Sequence, residues 1–155
     1  DVAVVVVVVV GVVVVVAVVV AAPAAGAVLL VRVVGAAGAA VAVLGFEPDD
    51  PAAYGRLIED ADGNLDRIVE FKDASEAERA VRLVNSGVMA ARADLMFELL
   101  GDVTNDNANG EYYLTDVVGL ARGRGLRAVA VRAAADEVLW LHKGTLLLSR
   151  PELNV

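Results

Sequence analysis

Residues 54–71 read Tyr54-Gly55-Arg56-Leu57-Ile58-Glu59-Asp60-Ala61-Asp62-Gly63-Asn64-Leu65-Asp66-Arg67-Ile68-Val69-Glu70-Phe71. Asp-Gly is a strong short-range hairpin signal, because its two residues tolerate the positive φ angles that tight turns between twisted strands require. The apolar residues on either side have strand character, so Tyr54 to Asp60 and Leu65 to Phe71 are predicted to pair antiparallel. This hairpin interrupts a chain that otherwise alternates strand and helix.

Upstream, Ala40 to Leu44 reads as an apolar strand. Glu47-Pro48-Asp49-Asp50-Pro51 reads as a loop, since each proline pushes its predecessor out of the helical region. Downstream, Ser75-Glu76-Ala77-Glu78 has the form of a capping box and predicts a helix to about Leu83. Val84 to Ala91 is predicted as a strand, and Asp94 can cap a helix carrying Leu95, Phe97, Leu99 and Leu100. Leu114, Val117, Val118 and Ala121 recur at helical spacing before Gly123 and Gly125 stop the run. Arg127 to Arg132 alternates as a last strand. The expected fold is α/β: a mostly parallel or mixed sheet flanked by helices, with one β-hairpin. In such sheets ligands sit beyond the carboxyl ends of the strands. Glu70 and Asn85 fall at the end and the start of predicted strands, where a site could form.

The front of the chain differs. Val2 to Val31 carries no charged or hydrogen-bonding side chain, and Val2 to Val20 is valine relieved only by Ala3, Gly11 and Ala17. Its length would suit a membrane-spanning helix. The branched Cβ of valine favours strands instead. The expectation is a fully buried parallel strand, which reads as continuous valine, followed by a helix from Ala24 to Ala37 ending at Gly38. Residues 1–37 are thus a low-complexity segment of one domain, consistent with 155 residues in total. A secretory leader is disfavoured, since no basic region precedes the tract.

The totals exclude several functions. Thirteen basic against 21 acidic residues give a net charge of -8, which would repel a polyphosphate backbone and argues against nucleic acid. The absence of cysteine removes disulfides, thiolate nucleophiles and Cys-type zinc sites, and mildly favours the cytoplasm. His142, the single histidine, has no Ser or Cys partner in a recognisable arrangement, so a catalytic triad is unsupported. Gly123-Arg124-Gly125 lacks the rest of a dinucleotide or Walker fingerprint.

Four polar clusters remain: Tyr54-Gly55-Arg56, Glu70-Phe71-Lys72-Asp73, Val84-Asn85-Ser86-Gly87, and Gly110-Glu111-Tyr112-Tyr113-Leu114-Thr115-Asp116. Each alone has a structural reading: a bulge at Gly55, a solvated pair at Glu70 and Lys72, a turn at Asn85, a helix cap at Thr115-Asp116. Their order and spacing together resemble the uridyltransferase domain of the bacterial bifunctional N-acetylglucosamine-1-phosphate uridyltransferase/glucosamine-1-phosphate acetyltransferases, over about residues 38–139. Asn105-Asp106-Asn107-Ala108-Asn109 also looks like that family's loop, with Asn109 where Gln is usual. The resemblance implies a partial nucleotide-diphospho-sugar transferase-like fold. It also implies a substrate-binding set in which the backbone at Gly55, the carboxylate of Glu70 and the amide of Asn85 contact the N-acetylglucosamine moiety, with Tyr113 and Thr115 nearby. These residue types suit a sugar: a carboxylate accepts from hydroxyls, an amide donates and accepts, and glycine admits close backbone approach.

The family's reaction is attack of the sugar phosphate on the α-phosphate of UTP, with release of pyrophosphate and with Mg²⁺ as cofactor. The departures are on the nucleotide side. The glycine-rich triphosphate loop has no counterpart in these residues. No Asp lies between Asp1 and Asp49 to supply the metal ligand. His142 falls opposite the family's second ligand, an Asn, where imidazole suits a hard cation poorly. The resemblance therefore implies a nucleotide sugar or sugar phosphate as partner, doubtful Mg²⁺ binding, no identified catalytic residue and weak or absent turnover in this chain alone. The alternative is a designed or truncated non-catalytic domain that keeps the fold. An exposed valine edge would favour a homo-oligomer. Residues 140–155 form a divergent tail without an assigned role.

Overall fold

A computed structural model describes residues 4–10, 13–17, 34, 38–107 and 109–133. Seven strands form one mixed sheet: β1 (Val4–Val10), β2 (Val13–Ala17), β3 (Val41–Phe46), β4 (Arg56–Glu59), β5 (Leu65–Val69), β6 (Val84–Arg92) and β7 (Ala128–Arg132). The main path runs β2-β1-β6-β3-β7, and the hairpin β4–β5 hangs from the start of β6 through the pair Arg56 and Val84. Three helices are described: α1 (Glu76–Arg79), α2 (Ala93–Gly101) and α3 (Asp116–Gly123).

The central strand explains the core. All six residues of β3 are buried, because the strand lies between β6 and β7 and is covered on both faces. Its alternation splits the interior in two. Val41 and Val43 join Leu57, Leu65, Met96, Leu99, Val117 and Val118, so α2, α3 and the hairpin share one cluster. Ala42, Leu44 and Phe46 join Val34, Val84 and Val88 on the other side. Phe46 meets Tyr54 edge to face at 5.3 Å, a favourable aromatic geometry.

The Asp62-Gly63 turn closes the hairpin as expected, with Gly63 at φ +77°. Asp60 organises it: its Oδ1 accepts from the amides of Asp62 at 3.0 Å and Asn64 at 2.9 Å. Asn64's amide, foremost, holds the Asp60 carboxyl below its ordinary range. Asp60 Oδ2 also takes Arg122 Nη2 at 2.6 Å, tying the turn to α3.

Four sequence expectations need correction. The valine tract supplies no parallel strand among its described residues: β1 pairs antiparallel with both β2 and β6. The one parallel pair along the described main path is β3–β7, so of the two sheet types expected the mixed one is realised. The helix begun by Ser75 has its complete capping box but ends at Arg79 rather than near Leu83. The Arg79 carbonyl, which a longer helix would offer to Leu83, instead accepts from Arg56 Nε at 3.2 Å, and Leu83 turns inward against the hairpin. Asp94 is not the N-cap of α2; that position belongs to Arg92, and Asp94 lies in the first turn with its Oδ1 accepting from Leu95 N at 2.9 Å. Thr115 does occupy the N-cap position of α3, but its side chain makes no cap bond.

No described helix is long and apolar enough to cross a membrane. The helix expected at Ala24 to Ala37, apart from helical Val34, and the tail with His142 lie outside the described residues.

Candidate functional site

Three segments meet where the hairpin joins the main sheet. Gly55 precedes β4, Glu70 follows β5, and Asn85 is the second residue of β6. The amide of Asn85 donates to the Gly55 carbonyl at 2.8 Å, which fastens the hairpin to the sheet edge. A Cβ on Gly55 would lie 3.3 Å from Glu70 Oε2 and 3.4 Å from Oε1, so glycine leaves the carboxylate its place. The Glu70 backbone carbonyl accepts from Asp73 at 3.0 Å and Ala74 at 3.0 Å, turning the chain toward α1.

From across the fold, Thr115 Oγ1 donates to Glu70 Oε1 at 3.1 Å, a contact spanning 45 residues of sequence. The hydroxyl that would ordinarily cap α3 is spent on this carboxylate. Burial pushes the Glu70 carboxyl above its ordinary range, and the charges of Asp73 and Asp116 add to that against the Thr115 bond. Asp116 is raised as well, by burial first and then by Asp73. A half-buried carboxyl beside other acids is costly to ionise, so this corner favours a partner that brings hydroxyl and amide donors.

Tyr113 stands two residues before Thr115, half-buried. Its hydroxyl accepts from Asn109 Nδ2 at 2.6 Å. Desolvation, foremost, holds its phenol above its ordinary range, and the nearby charges of Asp73, Glu111 and Glu70 act the same way. The loop that delivers it is stitched by asparagines: Asn107 Oδ1 accepts from Asn109 N at 3.1 Å and Glu111 N at 3.2 Å, and Asn107 Nδ2 donates to the Glu111 carbonyl. Tyr112 is 71% exposed, on the outside of that loop. Asn85 Oδ1 accepts from Gly87 N at 2.9 Å, a turn that uses only the acceptor end of the amide.

Hydrogen bonds thus join Gly55 to Asn85 and Glu70 to Thr115, and the lack of a Cβ at Gly55 leaves room for the Glu70 carboxylate between the two pairs, with Tyr113 nearby. A cavity of about 330 Å³ is lined by Ile68, Val103, Thr115 and Asp116 among others; of the five candidate residues it takes in Thr115 and not Gly55, Glu70, Asn85 or Tyr113. Among the described residues, no group of three or more His, Cys, Asp or Glu is placed to hold a metal ion.

Two participants were not legible in the sequence. Asp116 reads in sequence as part of a helix cap with Thr115, yet its charge acts on Glu70. Arg56 has no role of its own in the sequence pattern, and it is buried to 3% exposure. A buried arginine carries no local signature; only its place directly after a glycine that must hold position could have drawn attention.

No family model matches the chain. It is similar to the bifunctional protein GlmU of Maricaulis maris, 80% identical over 102 residues, covering 66% of this chain and 23% of that protein. It is 57% identical over 107 residues to GlmU of Roseobacter denitrificans, covering 69% of this chain and 24% of that protein. The chain therefore resembles GlmU over about two thirds of its own length and spans about a quarter of the length of these curated relatives. Among solved structures it resembles a nucleoside-diphosphate-sugar pyrophosphorylase from Vibrio cholerae at 12% identity and a TM-score of 0.48, over 69% of this chain and 48% of that one.

Proposed function

We propose, from the similarity to GlmU as premise, that this chain carries the amino-sugar-binding portion of a sugar-phosphate nucleotidyltransferase. The reaction it serves is that of the uridyltransferase family: a phosphate oxygen of N-acetylglucosamine-1-phosphate bonds to the α-phosphorus of UTP, the bond to the β-phosphate breaks, and pyrophosphate leaves. The observation that carries this reading is the Thr115–Glu70 hydrogen bond, which holds a half-buried carboxylate beside the buried Gly55. In this reading the Glu70 carboxylate accepts from a sugar hydroxyl and the Asn85 amide meets polar groups of the sugar. Gly55 leaves room for the Glu70 carboxylate, Thr115 fixes Glu70, and Tyr113 stands beside them. These residues bind and orient; none attacks the phosphorus. Mg²⁺ would supply charge neutralisation between the phosphates in a complete site. A cytoplasmic setting goes with the substrates.

Since the triphosphate loop has no counterpart here, the chain alone is expected to bind N-acetylglucosamine-1-phosphate and to turn over weakly or not at all. Calorimetric titration with that sugar phosphate tests the binding, and a coupled pyrophosphate-release assay with UTP and Mg²⁺ tests the turnover. Heat of binding with background pyrophosphate is the expected pair. Absent binding overturns the reading, and robust turnover overturns the inactivity.

A further inference from the structure

We infer that Arg56 is a positioning residue for the sugar site, acting as a latch that holds Gly55 against Glu70. The inference rests on the function proposed above for its ligand half, and on geometry alone for the latch. Arg56 is 3% exposed, and its guanidinium is spent on backbone carbonyls: Nε on Arg79 at 3.2 Å, Nη1 on Pro51 at 3.2 Å and on Tyr54, and Nη2 on Ala52 at 3.1 Å. A planar fork with five donors in fixed directions can gather several carbonyls at once, which a lysine ammonium on a flexible stem cannot reproduce. The same guanidinium lies over the Phe71 ring, 5.5 Å from its centroid, and Arg79 lies 4.7 Å from that centroid.

The consequence follows from chain order. Arg56 succeeds Gly55 and Phe71 succeeds Glu70, so the stack of the second residues sets the gap between the first ones. The carbonyls that Arg56 gathers belong to the loop leading into Gly55 and to the end of α1. The turn Glu70–Ala74 and the loop before Gly55 are thereby clamped to one another. Glu70 and Asn85 are partly exposed, while Gly55 and Arg56 are buried beside them.

The test uses Arg56→Lys in the full chain, with two readouts. In the free protein, amide hydrogen exchange at Asn85, whose N–H donates to Gly55, is expected to quicken at least tenfold while Met89 in the middle of β6 exchanges as in wild type. Calorimetry is expected to show at least a tenfold loss of affinity for N-acetylglucosamine-1-phosphate. Unchanged Asn85 exchange overturns the latch. Equal quickening at Asn85 and Met89 also overturns it, by making Arg56 a general support of the fold. If Arg56→Lys does not fold, Phe71→Leu removes the stack and keeps the fork, with the same selective exchange expected. Wild-type protein that binds no sugar phosphate defeats the proposed function, whereas the exchange result decides the latch by itself.

Discussion

Among the described residues, the neighbouring antiparallel strand pairs β4–β5 and β1–β2 are built on opposite principles. In β4–β5 every position differs from its neighbours: Asp-Gly fixes the turn, Asp60 accepts from two turn amides, and the register shifts once between Ile58 and Glu59. In β1–β2 the paired residues are valine against valine, Val8 opposite Val15 and Val9 opposite Val14, with Ala17 the one exception. Side chains alternate with a period of two, so sliding a uniform valine strand by two residues restores the same faces and the same contacts. A hairpin of distinct residues specifies where each group stands. One of repeated residues specifies only that it is a strand. The polar site grows from the first kind.

The largest expected effect strikes the specified hairpin at its core. Leu57 is 1% exposed and packs in the cluster shared with α2 and α3, so Leu57→Ala should cost about 2–5 kcal/mol. Chemical denaturation checks it, and a cost near zero would show that the hairpin is not held by its interior.

Next comes Glu70, where stability and binding should part. With its folded pKa raised by burial, the carboxyl stabilises the fold fully only below its unfolded pKa, near 4.5, and that contribution is lost as pH rises through the folded value. Glu70→Gln should therefore flatten the decline of melting temperature between acid and neutral pH. At neutral pH it should weaken sugar-phosphate binding by roughly tenfold or more, the usual worth of a hydrogen bond to a charged group. A variant that melts with the wild-type pH profile would remove the burial argument.

Gly63→Ala tests the turn alone. Gly63 sits at φ +77° with open space where a Cβ would go, so backbone strain is the whole cost, about 1 kcal/mol. The smallest energetic effect, and the sharpest probe of the contrast, comes from cysteine pairs, since the sequence contains no cysteine to compete. Ile58→Cys with Arg67→Cys, opposite each other, should cross-link far better than Ile58→Cys with Val69→Cys. Val8→Cys with Val15→Cys and Val8→Cys with Val13→Cys should cross-link to similar extents. A strong preference for the Val8 and Val15 pair would mean that something beyond valine sets that register.

How far the sequence could be read follows the same division. The Asp62-Gly63 turn, the Ser75–Glu78 box and the strand at Val84 are local events, decided by φ preference, short side-chain reach and branched residues, and each appears where the sequence puts it. The length of α1 is not local, because Arg56 reaches across 23 residues to take the carbonyl that would continue it. The direction of the valine strands is not local either, since a uniform apolar strand suits either pairing and its neighbour β6 decides. Around Glu70, the polar residue types were legible, while the bond from Thr115 to Glu70 was not, since the same threonine had an equally good use as a cap.

By itself, then, the sequence determined the strands and helix starts, the hairpin turn and the set of polar residues, because these depend on covalent geometry and on neighbours a few positions away. Only the tertiary structure decided which carboxyl is buried, which guanidinium lies beneath the site and which of two uses each polar side chain takes. Those choices turn on desolvation and on donors and acceptors brought together from distant parts of the chain, and a linear order of residues does not contain the distances that settle them.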